Sequence, residues 1–181
     1  EQIRHINKKK DLSIKSILDL HKTITTGLEA TPGKLRTEVS AIFSSAGIPI
    51  YMPPPPNDIR LLLQKLMHFV NSEKEPFISI KAILAHYVFE KIHPFLDGNG
   101  RVGRVLMQLV FEKKGYGMKG LLVIEEYLDT HRSSYYRALE APAQNTTEYV
   151  DFMLEALAHT AATAKELVLE SKFDSSRVGF Y

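Results

Sequence analysis

The 181-residue chain has no cysteine and no tryptophan, and its 23 basic residues nearly cancel its 21 acidic ones, for a net charge of +2. Without cysteine there can be no disulfide framework and no thiolate metal site, and the composition points to a cytoplasmic rather than a secreted setting. The balanced charge argues against a nucleic-acid partner held on a broad cationic face. No apolar run approaches the roughly 20 residues that span a bilayer, and the N-terminus shows no signal-peptide pattern, so no membrane partner is expected. The one basic run, Lys8-Lys9-Lys10, reads as a solvated helix end. The chain opens at Glu1 without a methionine, and so reads as a fragment of a longer chain.

What is present is ordinary globular material, 44% apolar and 24% charged, enough for one domain over 1–181. Apolar residues at helical spacing predict a helix from Asp11 to Leu28, ending near Gly27. From Lys34 the helical period lapses. Two β-capable runs, Leu35–Phe43 and Ile48–Met52, flank Ser44-Ser45-Ala46-Gly47 and predict a small hairpin over about 34–52. Pro53 to Pro56 forms a rigid connector, and Asn57 or Asp58 is expected to cap a helix running to Val70. A helix over Ile80–Ile92 is expected to bury Ile83, Leu84, Tyr87 and Val88 on one face. Helical spacing resumes from Val102 until Gly115-Tyr116-Gly117, and again over Glu125–Leu139. Asn145-Thr146-Thr147-Glu148 has the form of a capping box opening a last helix to Glu170, so the C-terminal helices occupy about 125–171. The fold class expected is all-α with one inserted hairpin.

Between two of these helices stands HPFLDGNGRVGR, residues 93–104. Its glycines satisfy the dinucleotide fingerprint and, with Val105, the kinase glycine loop, but both require a β-strand immediately upstream. Here the upstream segment is a helix closed by His93-Pro94, which removes both readings. A Gly-Asn-Gly turn entering a helix can aim several N–H groups at one anion, and Arg101 and Arg104 share a face of the first turn. Two arginines at the positive end of a helix are poorly placed without an anion, which argues for a bound polyphosphate. Asp97 is a hard oxygen ligand suited to a Mg²⁺ shared with phosphates. His93 can take a proton from a hydroxyl near neutral pH, and Phe95 should anchor the loop in the core. His86, one of the six remaining histidines, is expected to be a core residue, since no third ligand is spaced to join it and His93.

The segment resembles the signature of Fic-domain proteins, HxFx[D/E]GNGRxxR, at every defined position. Gly33-Lys34-Leu35-Arg36 with Val39, and Tyr51-Met52-Pro53-Pro54, resemble the family's flap and its proline-rich exit; Lys114-Gly115-Tyr116 and Tyr135-Tyr136-Arg137-Ala138-Leu139 resemble its downstream helices. The resemblance implies an all-α Fic fold whose helix–loop–helix motif carries the active site. It implies transfer of AMP from ATP to a Ser, Thr or Tyr hydroxyl of a target protein docked on the flap. His93 would be the base and Asp97 the Mg²⁺ ligand. Gly98, Asn99, Gly100 and Gly103 with Arg101 and Arg104 would bind the phosphates, while Tyr135, Tyr136 and Asn145 would flank the nucleoside. The inhibitory pattern [S/T]xxxE[G/N] found in many relatives has no match, so restraint would come from a missing flank or an antitoxin-like partner; a homodimer is also compatible. Two other readings stay open: a Fic-fold transferase of phosphate, phosphocholine or another nucleotide, and a nucleotide-sensing module without turnover.

Overall fold

In a computed structural model, residues 11–43, 49–116, 123–140, 142 and 144–177 are described. Lys8-Lys9-Lys10, the hairpin tip and Gly117 lie outside them. The helices are α1 (Ile14–Thr25), α2 (Pro56–Asn71), α3 (Ile78–Ile92), α4 (Asn99–Lys113), α5 (Glu125–Thr130), α6 (Arg132–Glu140) and α7 (Thr147–Arg177), with two short strands, β1 (Ile42–Phe43) and β2 (Pro49–Tyr51). The expected helical class holds. Helix packing concentrates within α1–α4 and within α5–α7, so the chain divides into two compact units, Glu1–Tyr116 and Gly117–Tyr181.

In the first unit α3 is the central helix. It packs against both α2 and α4, so Ala82, Ile83, Ala85, Tyr87, Phe89 and Ile92 are buried around most of its circumference. A single apolar face is therefore the wrong description: Val88 is exposed and Leu84 only half-buried. His86 is fully buried in this helix, as expected of a core histidine. α1 is capped by Ser13, whose hydroxyl accepts from the Ser16 N–H in a reciprocal capping box. Asn71, at the end of α2, ties three elements together. Its side chain accepts from Leu12 N at 3.0 Å and from Lys113 Nζ at 2.8 Å, and donates to Leu12 O at 2.7 Å. α4 ends in a Schellman motif at Gly115 (φ 81°), where Tyr116 N donates to Phe111 O and Gly115 N to Glu112 O.

Several boundaries differ from the sequence expectation for identifiable reasons. α2 has Pro55 at its N-cap and Pro56 at its first position, with no side-chain cap, so Asn57 and Asp58 sit inside the helix; proline's fixed φ pre-organises the first turn. α4 begins at Asn99, not Val102. β1 and β2 pair antiparallel, Ile42 with Tyr51 and Phe43 with Pro49, but pairing does not reach back to Leu35. The Arg36 N–H is bonded to Pro94 O instead.

In the second unit, the helix expected over 125–139 breaks at His131. Its Nδ1 bonds Tyr127 O at 2.9 Å, the carbonyl that its own backbone N–H also reaches at 3.0 Å, and its ring stacks on Tyr127. α7 starts at Thr147, one residue after the position expected from an Asn145 cap; Asn145 Oδ1 accepts from Thr147 N at 3.3 Å, an Asx-type turn rather than a capping box. Among the described residues no helix is long and apolar enough to cross a membrane.

Candidate active site

The helix–loop–helix of residues 93–104 is built around one strained residue. His93 ends α3 with φ 48° and ψ 61°, the only non-glycine residue with positive φ among those described. That conformation costs an L-residue about 1–2 kcal/mol, so the surroundings must hold it. The His93 ring is half-buried, with Nδ1 buried, and the Glu90 carbonyl acts on the ring as an acceptor. A protonated ring needs two acceptors, so this pocket favours the neutral ring. Burial, with the nearby Arg36 charge, holds His93 below the ordinary imidazole value, the Glu90 carbonyl and Asp97 opposing.

After Pro94, Phe95 turns into the core and is fully buried, as the sequence indicates. Asn99 then staples the loop: its Oδ1 accepts from Phe95 N at 3.0 Å and its Nδ2 donates to Phe95 O at 2.9 Å. The Asn99 side chain thereby holds the loop, and its backbone N–H stands at the helix start, where it can face an anion. The Gly98 N–H is likewise committed, donating to Asp97 Oδ1 at 2.6 Å. Gly98 itself takes φ 77°, and a Cβ there would lie 2.9 Å from both Glu29 Oε1 and Thr25 Cγ2, so nothing larger fits. The first helix hydrogen bond of α4 is Val102 N to Gly98 O, which leaves the N–H groups of Asn99, Gly100 and Arg101 ahead of any helix acceptor.

Around this N-terminus stand the charged groups. Asp97 presents a carboxylate that is 76% exposed, with Oδ2 3.9 Å from Arg101 Nη2. Arg104 folds back along the first turn, its Nη1 3.2 Å from where a Gly100 Cβ would be. Gly103, expected among the phosphate-binding residues, faces the other way: a Cβ there would strike Glu90 Oε1 and lie 3.2 Å from Phe89 Cδ1, so it serves the α3–α4 contact. Tyr135, Tyr136 and Asn145 belong to the second unit. There the Tyr135 ring is buried against Tyr136 and Phe152, the Tyr136 ring is 42% exposed beneath Arg132, and Asn145 serves the turn before α7.

Three residues that the motif does not announce complete the arrangement. Glu29 pairs with Arg101 (Oε1 to Nη2, 3.2 Å), so the arginine already has a counter-charge, and its presence at a helix N-terminus is not by itself evidence for a phosphate. The only hint in the sequence is Thr25-x-x-x-Glu29, which has two letters of the inhibitory pattern but Ala30 where Gly or Asn is required. His21 stacks on Phe95 at 3.7 Å; its Nδ1 accepts from Gly33 N at 2.7 Å, so Nε2 carries the proton and donates to Asp97 O at 3.1 Å. Arg36, buried at the end of α3, is the third.

Behind Arg104 lies a buried pair, Glu90 and His86, 3.9 Å apart. Burial pushes the Glu90 carboxyl up to about 7, partly opposed by Arg104, and pushes His86 down to about 3, with Arg104 adding to the effect. The two act oppositely on stability. Glu90's contribution is full below its ordinary value and is lost as pH rises through about 7, whereas His86's is lost as pH falls from the ordinary imidazole range. Glu90→Gln, neutral and nearly isosteric, should therefore gain stability over the unmodified chain as pH rises across that window, by on the order of 3 kcal/mol at the full shift. Denaturant unfolding at pH 5 and pH 8 measures it, and parallel pH curves for the two proteins would contradict it.

Residues 11–111 match the Fic/DOC family. The chain is 34% identical over 136 residues to the protein adenylyltransferase Fic of Drosophila grimshawi, and 34% identical over 132 residues to that of Drosophila melanogaster. These alignments cover 73% and 72% of this chain but only 26% and 25% of the relatives, so the chain spans about a quarter of their length. Among solved structures, a Fic family protein from Desulfovibrio desulfuricans superposes with a TM-score of 0.79 at 27% identity, covering 93% of this chain and half of the other. Fic-1 from C. elegans superposes with a TM-score of 0.67 at 22% identity, which shows the shared fold. By the family match and these alignments, the chain belongs to the Fic/DOC family.

Proposed function

We propose that the chain transfers AMP from ATP to a Ser, Thr or Tyr hydroxyl of a target protein. The observation that carries this reading is a histidine fixed in a left-handed turn immediately before a helix N-terminus whose free N–H groups are flanked by two arginines. The relatives' name, protein adenylyltransferase, agrees with it.

In this reading the hydroxyl oxygen attacks the α-phosphorus, the bond to the β-phosphate bridging oxygen breaks, and pyrophosphate leaves. His93, held neutral, receives the hydroxyl proton. The N–H groups of Asn99, Gly100 and Arg101 stabilise charge that builds on the phosphate oxygens, while Arg101 and Arg104 hold the leaving group in line. The donor set fits a metal only in part: Asp97 is one exposed hard carboxylate, and the described residues contain no cluster of three ligating side chains. Asp97 would therefore hold Mg²⁺ only together with nucleotide oxygens, and the ion would supply charge neutralisation on the phosphates. The target segment would add to the edge of the β1–β2 pair. Restraint by a further segment or a partner would act in addition to the Glu29–Arg101 pair.

The test uses ATP labelled at the α- or the γ-phosphate, with Mg²⁺ and a soluble protein extract. Protein-bound label from the α position alone is expected. Label from the γ position alone would replace this reading with phosphotransfer.

A further inference from the structure

Arg36 is buried and bonded through every nitrogen of its guanidinium, and the reaction scheme above gives it no role. Only 3% of it is exposed. Its Nε donates to His93 O at 2.7 Å, its Nη2 to Pro54 O at 2.5 Å and more weakly to Ile92 O at 3.4 Å, and its Nη1 to Glu38 O at 2.9 Å. Its backbone N–H donates to Pro94 O at 2.9 Å. One residue of the segment before β1 thus bonds three successive carbonyls, those of residues 92, 93 and 94, where α3 ends.

We infer that Arg36 is the positioning residue for His93: its guanidinium and backbone N–H clamp the carbonyls of Ile92, His93 and Pro94, hold His93 in its left-handed conformation, and tie the imidazole to the flap. The physical grounds are these. Carbonyls at a helix C-terminus have no helix donor and carry the negative end of the dipole, so a buried planar cation with several N–H groups suits them. His93 is in a conformation that its own chemistry disfavours and is followed by proline, so an external clamp is required. A lysine could supply the charge but not the planar fork that spreads donors over several carbonyls. Tyr51, on β2, donates its hydroxyl to Lys91 O at 2.8 Å, so the hairpin that follows Arg36 grips the preceding residue as well. Docking of a target on the flap is thereby linked mechanically to the histidine.

The inference rests on the proposal that His93 is the base, and its test separates the two. The readout is the His93 imidazole in protein labelled at histidine, followed by NMR, in the unmodified chain and in Arg36→Met and Arg36→Lys. The charged groups acting on the ring are Arg36, which lowers its affinity for a proton, and Asp97, which raises it. The His93 titration midpoint should therefore rise in Arg36→Met and move less in Arg36→Lys. Both variants should lose the left-handed backbone shifts of His93. If transfer occurs, kcat should fall about 10²-fold in both, as a misplacement of about 1 Å costs, with the KM for ATP unchanged. Arg36→Lys serves if Arg36→Met does not fold. His93 shifts and midpoint at unmodified positions in a folded Arg36 variant would overturn the inference. Absence of transfer in the unmodified chain would sink the base assignment while leaving the clamp standing on its NMR signature.

Discussion

Replacing His93 with alanine or asparagine is expected to lower AMP transfer by roughly 10²–10⁴-fold, the usual contribution of a positioned general base, with ATP affinity retained. The nucleotide's phosphates are assigned to the α4 N-terminus and the two arginines, none of which needs the imidazole. Asparagine is the sharper variant, because it tolerates the left-handed conformation at this position and so preserves the loop. The pH dependence follows from the same geometry. With His93 held below the ordinary imidazole value, its neutral form persists into acid, so the acid limb of the rate profile should lie below about 6.5. Steady-state rates with calorimetric ATP binding measure both. Transfer undiminished in both variants, or lost only in proportion to ATP binding, would remove the base role.

Asn99→Ala should cost roughly 2–4 kcal/mol of stability as well as activity. Its side chain bonds both the N–H and the C=O of Phe95, a fully buried residue, and alanine would leave both backbone groups unpaired. Each orphaned buried group costs about 1–3 kcal/mol. Urea unfolding of the chain without nucleotide is the measurement. Stability unchanged together with weakened ATP binding would mean that the amide serves the nucleotide directly.

The second of these predictions shows where the sequence stopped being legible. The positions of His93, Gly98 and Asn99 could be read because the signals are local: a His-Pro closing a helix, a Gly-Asn-Gly opening one. What Asn99 does with its side chain could not be read, because that depends on the loop doubling back by four residues. What His21, Glu29 and Arg36 do could not be read for a stronger version of the same reason, although Arg36 stands in the flap resemblance and Glu29 in a partial inhibitory pattern. Their partners in the motif lie 76, 72 and 57 residues away, and no periodicity or spacing relates them. α3 misled in another manner. A helix covered by neighbours on two sides loses the one-sided apolar pattern, so spacing alone does not tell that Val88 faces outward. The paired strands are shorter than the β-capable runs because such residues say nothing about where Arg36's N–H is spent. Gly103 fits a phosphate-binding glycine by its letter alone; only the packing of Phe89 and Glu90 against it reveals the helix contact.

The central claim is that the 93–104 cradle directs attack at the α-phosphorus of ATP, and the inorganic product reports this most directly. With Mg²⁺ and ATP, each protein-bound AMP should be matched by one released pyrophosphate, and both should vanish together in His93→Asn. Protein-bound phosphate accompanied by ADP, or by no pyrophosphate, would contradict it.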